Sequence, residues 1–472
     1  MSENNKDLGL KIGLEIHQQL DTNKLFCKCP CIIKDDNPSF KVKRYLRTSA
    51  SELGKVDAAA LYELQKGKYF IYEGYNAVNC LVELDESPPE ELNKKALEIA
   101  LQVSLLLNAK ILDQIQFMRK VVIDGSNVSG FQRTALIAVN GYIETSEGKI
   151  SIPTICLEEE AAKKLEDTTE FRRYNISRLG IPLIEIATGP DVKSAEGAKE
   201  AAGKLGMILR SVNGVKRGLG TIRQDINLSI KTHPRVEIKG FQDLRSIPKV
   251  VEYEINRQLN SKEKKSEVRK AEPDLTTSFL RPMPGADRMY PETDVPLIKI
   301  TKELLSKIEL PKLLSEKTKD LEELYKLQYD LAKEIVEREI NIGHFLNQYR
   351  NLDANTIART IIEIPKEIKS RLNLDINKLT EDNFHDVFEL LNENKINKSA
   401  ILEILADLIK NGKIDLEKYK SVSNSELESE IKKIIEQNKG ASFNAIMGEA
   451  MKKLKGKGDP KKIVELINKF SK

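Results

Sequence analysis

Near Pro311 the chain changes texture, and this change limits the fold more than any single motif does. Before it, short β-like runs alternate with glycine and proline punctuation. After it come long charged segments whose apolar residues recur at helical spacing. The change marks a boundary, so a sheet-rich first part and a helical remainder are expected. The 472 residues also exceed what one hydrophobic core usually serves. The expected division is 1–300, 301–410 and 411–472. A hydrophobic fraction of 40% beside 31% charged residues excludes bulk disorder. Apolar runs such as Ile99 to Leu107 are too short to cross a bilayer, and Met1 to Leu8 lacks a signal-like apolar stretch. A cytoplasmic protein without membrane contact is expected.

In the first part Leu10, Ile12, Leu14 and Ile16 alternate with Lys11, Gly13, Glu15 and His17, which predicts a half-buried strand with Glu15 and His17 on one face. Ala135 to Thr145 and Ile150 to Leu157 flank the turn Glu147-Gly148 and predict a hairpin that delivers Glu158, Glu159 and Glu160 at a strand end. Glu91 to Leu107 and Ser194 to Val212 carry helical stripes, and Asp225 to Ile230 and Val236 to Ile238 return to strands. The pattern points to mixed or antiparallel pairing. Further on, Asp320 to Gln348, Asn383 to Leu391 and Ser399 to Lys410 read as helical, followed by a polar link at Ser421 to Ser425. The tail then offers helices at Leu427 to Gln437, Phe443 to Leu454 and Lys461 to Phe470.

Several clusters could carry chemistry. Glu15 and His17 could orient a hard cation or a polar substrate, or be a plain wet strand face. Glu158, Glu159 and Glu160 are costly neighbours unless a cation, arginine or water relieves them. Glu185 sits between Ile184 and Ile186 on a predicted strand, so it is edge-exposed or paired. Arg223, Asp225, Asn227 and Ser229 share a face that suits phosphate, ribose and a cation, or simply solvent; Glu237, Lys239, Asp243 and Arg245 follow. The stretch Asp124 to Thr134 could receive an anion through backbone amides, with Ser126 in the turn and Arg133 assisting. A P-loop, a dinucleotide-binding glycine fingerprint and a nucleophile with a matched base are all missing from the motif content. Cys27, Cys29 and Cys31 could supply part of a soft-metal site only if distant ligands join them, and reduced, partly buried thiols are the alternative. The net charge of +4 is small, but nine lysines against three acids lie in residues 439–472, which could attract phosphate.

The segments GLEIHQQLDTNKLFC, VIDGSNVSGFQRT, ICLEEEAAK, RRYNISRLGIPLIEIATGPD, RQDINLS, VEIKGF and RMYPETDVP, in this order, resemble the B/E subunits of tRNA-dependent amidotransferases, above all those of the archaeal E type. The tail ASFNAIMGEAMKKLKGKGDP resembles that family's small C-terminal tRNA-binding domain. The resemblance implies an α+β architecture: a large mixed or antiparallel-sheet cradle, a helical domain and a small helical, YqeY-like tail. It implies that ATP activates the side-chain carboxylate of Glu-tRNA(Gln) as a γ-glutamyl phosphate, which ammonia converts to Gln-tRNA(Gln). Carried over by motif, Glu15, His17, Glu158 and Glu185 become the catalytic, Mg2+-centred residues, with Asp225 in support. Ser126, Arg133, Arg223 and Lys239 become candidates for ATP phosphate or tRNA-end contacts, and Lys439, Lys452, Lys453, Lys455 and Lys457 for the tRNA backbone. Ammonia is implied to come from an asparaginase-like D subunit in a D2E2 heterotetramer. One departure stands out. Glu267-Val268-Arg269 runs directly into Lys270-Ala271-Glu272, without the aspartyl-tRNA-synthetase-like insertion usual in the archaeal E type. An Asp-tRNA(Asn) amidotransferase subunit and a noncatalytic tRNA-binding assembly protein are the alternatives.

Overall fold

The alternation that begins at Leu10 is realised as the strand Lys11–Gln19 in the computed structural model, which describes residues 8–48, 56–241, 243–285, 289–420, 424–438, 440–454 and 460–470. This strand lies in the middle of an eleven-stranded sheet. Ten of its strands run in the order Thr277–Pro282, Glu267–Ala271, His233–Phe241, Ile222–Ile230, Lys11–Gln19, Pro182–Ala187, Gly148–Glu159, Phe131–Thr145, Phe117–Val121 and Met289–Pro291. The short strand Lys110–Ile111 pairs with Phe131–Thr145. Pairing is antiparallel except where Glu267–Ala271 lies parallel to His233–Phe241, so the sheet is mixed, as the sequence implied.

The period of two along each strand divides the sheet into two chemically different faces. Ile12, Leu14, Ile16, Ile155, Leu157, Ile184, Ile186, Ile226 and Leu228 are buried in one core with the helices Lys94–Leu106, Ala195–Ser211 and Ile247–Asn260. Each such side chain contributes about 1.5–3 kcal/mol by leaving water. That burial fixes the register, because a one-residue slip would exchange the faces. Ser194 caps the second of these helices by accepting from Gly197 N, at the boundary its sequence position predicts.

A smaller four-stranded sheet runs in the order Phe40–Arg44, Tyr69–Gly74, Phe171–Asn175, Lys163–Asp167. Its inner face buries Phe70, Tyr72 and Tyr174 in a separate core. Arg172 ties it to the helix Ala58–Leu64 through a 2.8 Å bond to Glu63.

The chain divides into two units, Met1–Leu313 and Leu314–Lys472. Helical spacing over Asp320 to Gln348 appears as three helices, Leu314–Tyr325, Tyr329–Glu337 and Gly343–Gln348. Lys326 and Glu339, both at φ 55°, break the run by taking the left-handed conformation. The 19-residue helix Ala354–Leu372 went unread in the sequence because Pro365 sits inside it. The helices Glu381–Asn392 and Ile401–Asn411 match their expected stretches. Of the expected polar link, Ser421 to Ser423 lie outside the described residues, and Asn424 and Ser425 already begin the helix Asn424–Gln437. One core extends from Leu327 to Tyr419. A second joins Leu427, Ile431, Ile446, Ala450, Ile463 and Ile467 from the last three helices, Asn424–Gln437, Phe443–Leu454 and Pro460–Phe470. No described helix is long and apolar enough to cross a membrane.

Candidate active site

The polar face of the large sheet collects the carboxylates. Strand pairing sets His17 opposite Glu185 and Glu15 opposite Asp225. Glu185 faces Cys156, two residues from Glu158, and Glu158 faces Thr134, whose hydroxyl donates to its Oε2 at 3.0 Å. Glu15, His17, Glu158, Glu185 and Asp225 line a cleft of about 420 Å3, whose wall also includes Asp57, Glu63, Asp124 and Ser126. His17 Nε2 lies 3.2 Å from Glu15, 3.5 Å from Glu185 and 4.0 Å from Glu158. Lys120 Nζ lies 2.8 Å from Glu158 and 3.5 Å from Glu185. Lys239 Nζ bridges Asp225 and Glu237 at 2.5 Å each. Donor atoms of Glu15, His17 and Glu185 lie within 4.8 Å of one another, and so do those of Glu15, Asp225 and Glu237. The two donor sets are adjacent and share Glu15.

Electrostatics couple these groups. Burial opposes the charge on His17, but its bonds to Glu15 and Glu185 outweigh burial and push its pKa up to about 10. Burial would also raise Glu185, yet Lys120 and His17 hold it well below the usual carboxylate range. Glu15 is lowered too, His17 and Lys239 outweighing its burial. Burial raises Glu158 in spite of Lys120. Burial, reinforced by Glu185 and Glu158, pushes up the Cys156 thiol, which makes it a poor nucleophile. When ionised, Glu15, Glu158, Glu185, Asp225 and Glu237 outnumber the cations His17, Lys120 and Lys239 by two charges. Such an oxygen-rich deficit is suited to a hard divalent cation.

The acidic triplet is separated by strand geometry. Glu158 faces the cleft, while Glu159 meets Arg133 on the opposite face at 3.4 Å. Glu160 accepts from Arg223 Nη2 at 2.8 and 2.9 Å. Arg133 therefore departs from its expected role at ATP. It is buried, 2.8 Å from Glu292, and does not line the cleft, because strand alternation turns it away. Ser126 does line the cleft, with its N and Oγ bonded to Asp124 Oδ1 at 2.9 and 2.6 Å. Arg223 and Lys239 reach the cleft as members of ion pairs. In the other unit Lys452 and Lys453 are exposed on the helix Phe443–Leu454, whereas Lys439, Lys455 and Lys457 lie outside the described residues.

Lys120 is the site residue that the sequence did not reveal. Only the pairing of Phe117–Val121 with the hairpin brings it to Glu158, and no local motif marks it. Glu237 was legible as an acceptor, but its membership of the second donor set depends on strand pairing. The structure also supplies distant partners for the cysteines: Cys27, Cys29, Cys80 and Glu83 place donor atoms within 4.8 Å of one another, a zinc-type set that leaves out Cys31.

An acidic, cation-suited cleft on a large mixed sheet, followed in the chain by a helical unit, defines an α+β catalytic domain with a helical appendage. The family described as the GatB/GatE catalytic domain matches residues 10–306, and the one described as the GatB domain matches residues 344–470. The chain belongs to the GatB/GatE family. It is 38% identical to the E-type chain of the glutamyl-tRNA(Gln) amidotransferase of Methanocaldococcus jannaschii over 631 aligned positions, covering 99% of each chain. The corresponding E-type chains of Methanococcus vannielii and Archaeoglobus fulgidus are 38% and 35% identical, with 98% of each chain covered. These alignments contain more positions than this chain has residues, so they open gaps on its side, in keeping with the missing insertion.

Proposed function

We propose that this chain is the amide-forming, tRNA-gripping subunit of a glutamyl-tRNA(Gln) amidotransferase, which converts Glu-tRNA(Gln) to Gln-tRNA(Gln). The observation that carries this reading is the convergence of Glu15, Glu158, Glu185, Asp225 and Glu237 with His17, Lys120 and Lys239 in one cleft. The names of the relatives supply the substrate.

A free carboxylate resists attack by ammonia because its leaving group is poor, so the chemistry requires activation as an acyl phosphate. The oxygen donors and the charge deficit fit Mg2+, which together with ATP would supply the phosphoryl group and neutralise its charge. Glu15 and Glu185 are the proposed cation ligands, with Glu158 beside them across Lys120, and Glu15, Asp225 and Glu237 form the neighbouring set. His17, protonated near neutral pH, donates to Glu15 and Glu185 and holds them in place; it can itself become a ligand only after losing that proton. Lys120 and Lys239 supply fixed positive charge for transferring phosphate oxygens, preorganised by their carboxylate partners. Ser126 and Arg223 lie where they can meet phosphate or the tRNA end. The Cys156 thiol is held protonated, which fits a chain that receives ammonia from a partner. That partner is proposed to be an asparaginase-like D subunit in a D2E2 heterotetramer. The lysine-rich tail is proposed to follow the tRNA backbone.

The test is ATP-dependent formation of Gln-tRNA by Glu15→Gln and Glu185→Gln. Loss of transition-state charge stabilisation is expected to lower turnover by about 10²–10³ with bulk tRNA affinity preserved. Added ammonia should not restore it. Near-wild-type turnover in a folded double variant would refute the site.

A further inference from the structure

The small sheet has an open face opposite the one that buries Phe70, Tyr72 and Tyr174. On this open face Tyr69 and Phe171 are directly paired across two parallel strands, with ring centroids 5.6 Å apart and planes 26° from parallel. Tyr45 extends the row, 5.9 Å from Tyr69, and is 67% exposed. The Lys43 ammonium lies over Tyr69, 3.8 Å from its ring centroid, and 5.4 Å from that of Tyr45. Cross-strand packing accounts for Tyr69 and Phe171. It does not account for Tyr45 and Lys43, both exposed, at the end of the row.

Stacked π-faces beside an exposed cation are the chemistry that receives unpaired nucleobases and their phosphates. The same sheet backs the cleft wall without lining it, through the face opposite the aromatic row. From the strand that carries Phe171, Tyr174 Oη and Arg172 Nη1 donate to the Asp124 carbonyl at 2.8 and 3.0 Å, and Asp124 lines the cleft. We propose that Tyr45, Tyr69, Phe171 and Lys43 form a stacking platform for the single-stranded 3′ end of the tRNA. This inference rests on the amidotransferase reading and adds a site to it. Nearby Lys41 and Arg173 are already engaged by Glu73, at 2.7 and 3.0 Å, so stacking rather than counterion release dominates the contact.

The test uses the full chain and an RNA hairpin that ends either blunt or with a 3′ extension of about four unpaired nucleotides, with binding followed by anisotropy. The wild type is expected to prefer the extended hairpin. Tyr69→Leu/Phe171→Leu keeps apolar bulk but removes both π-faces, and it should lose that preference by about tenfold or more, with little dependence on salt. Tyr69→Phe should keep the preference, and Lys43→Ala should lose a smaller part of it. A folded leucine double variant with undiminished preference overturns the platform, as does a wild type that binds both hairpins equally. Loss of self-association in the double variant without a change in RNA binding would assign the face to a protein contact and also overturn it. Formation of Gln-tRNA by the wild type in either case leaves the amidotransferase reading standing; its absence, with ATP, Mg2+ and ammonia supplied, removes that reading by itself.

Discussion

At the residue scale the cleft works by compensation. Lys120 stands beside Glu158 and Glu185, and removing it leaves buried Glu158 without its nearest cation and half-buried Glu185 with His17 alone. Lys120→Ala is expected to lower single-turnover amide formation by about 10²–10³ while tRNA affinity stays level. A loss confined to KM would point to substrate binding instead. A different compensation should be visible in acid. Asp167 accepts from Arg172 at 2.9 Å and from Lys68 at 2.5 Å; burial would raise its pKa, but these cations bring it from the ordinary 3.8 down to about 2. A carboxyl lowered on folding stabilises the protein above its unfolded pKa and loses that contribution as pH falls through the folded value. Between about pH 4 and pH 2 the wild type should therefore lose stability more steeply than Asp167→Asn, as acid titration of the denaturant midpoint would reveal.

At the element scale the turn Asp124 to Ser126 joins the cleft to the small sheet. Gly125 has φ +93°, and a Cβ there would lie 2.2 Å from the Phe70 ring. Gly125→Ala therefore combines backbone strain with a clash against a packed aromatic and should cost about 1–3 kcal/mol in urea denaturation. Because Ser126 follows it on the cleft wall, ATP affinity should fall with stability. Unchanged affinity would separate the turn from nucleotide binding. The hairpin of Glu267–Ala271 and Thr277–Pro282 shows a related economy. Where an insertion was expected, the first strand runs unbroken and the chain turns back within residues 272–276, with Leu275 at φ 68°.

At the scale of the whole molecule, separate cores predict separable behaviour. Tyr419 is buried in the larger helical core, whereas the tail core begins at Leu427. A deletion beginning at Lys439 would strip Leu427, Ile431 and Ile434 of their partners on the last two helices, so the clean cut falls just before Asn424. Removing residues 424–472 should weaken tRNA binding and flatten its dependence on salt, because phosphate contacts release counterions. The remainder should keep its folded circular dichroism. Lys452→Glu/Lys453→Glu should bind more weakly than the alanine pair, since repulsion is added to lost attraction. Equal affinity and an equal salt slope after deletion would show that these lysines only solvate the surface.

Local pattern alone determined the central strand, the hairpin, the helices at Ala195–Ser211 and Ile401–Asn411, and the shared face of Glu15 and His17, because each follows from a period of two or 3.6. Motif order carried the reading further, to the family and to Glu158, Glu185 and Asp225. Strand pairing decided the rest. It brought Lys120 to Glu158 and turned Arg133 away to Glu292. It also set Tyr69 against Phe171, while the packing of turns outside the strands gathered Cys80 and Glu83 beside Cys27 and Cys29. These residues are separated by tens to more than a hundred positions in the chain, and local periodicity does not record which strand lies beside which. That choice is made by burying one apolar face against three helices, and the chemistry on the opposite face follows from it.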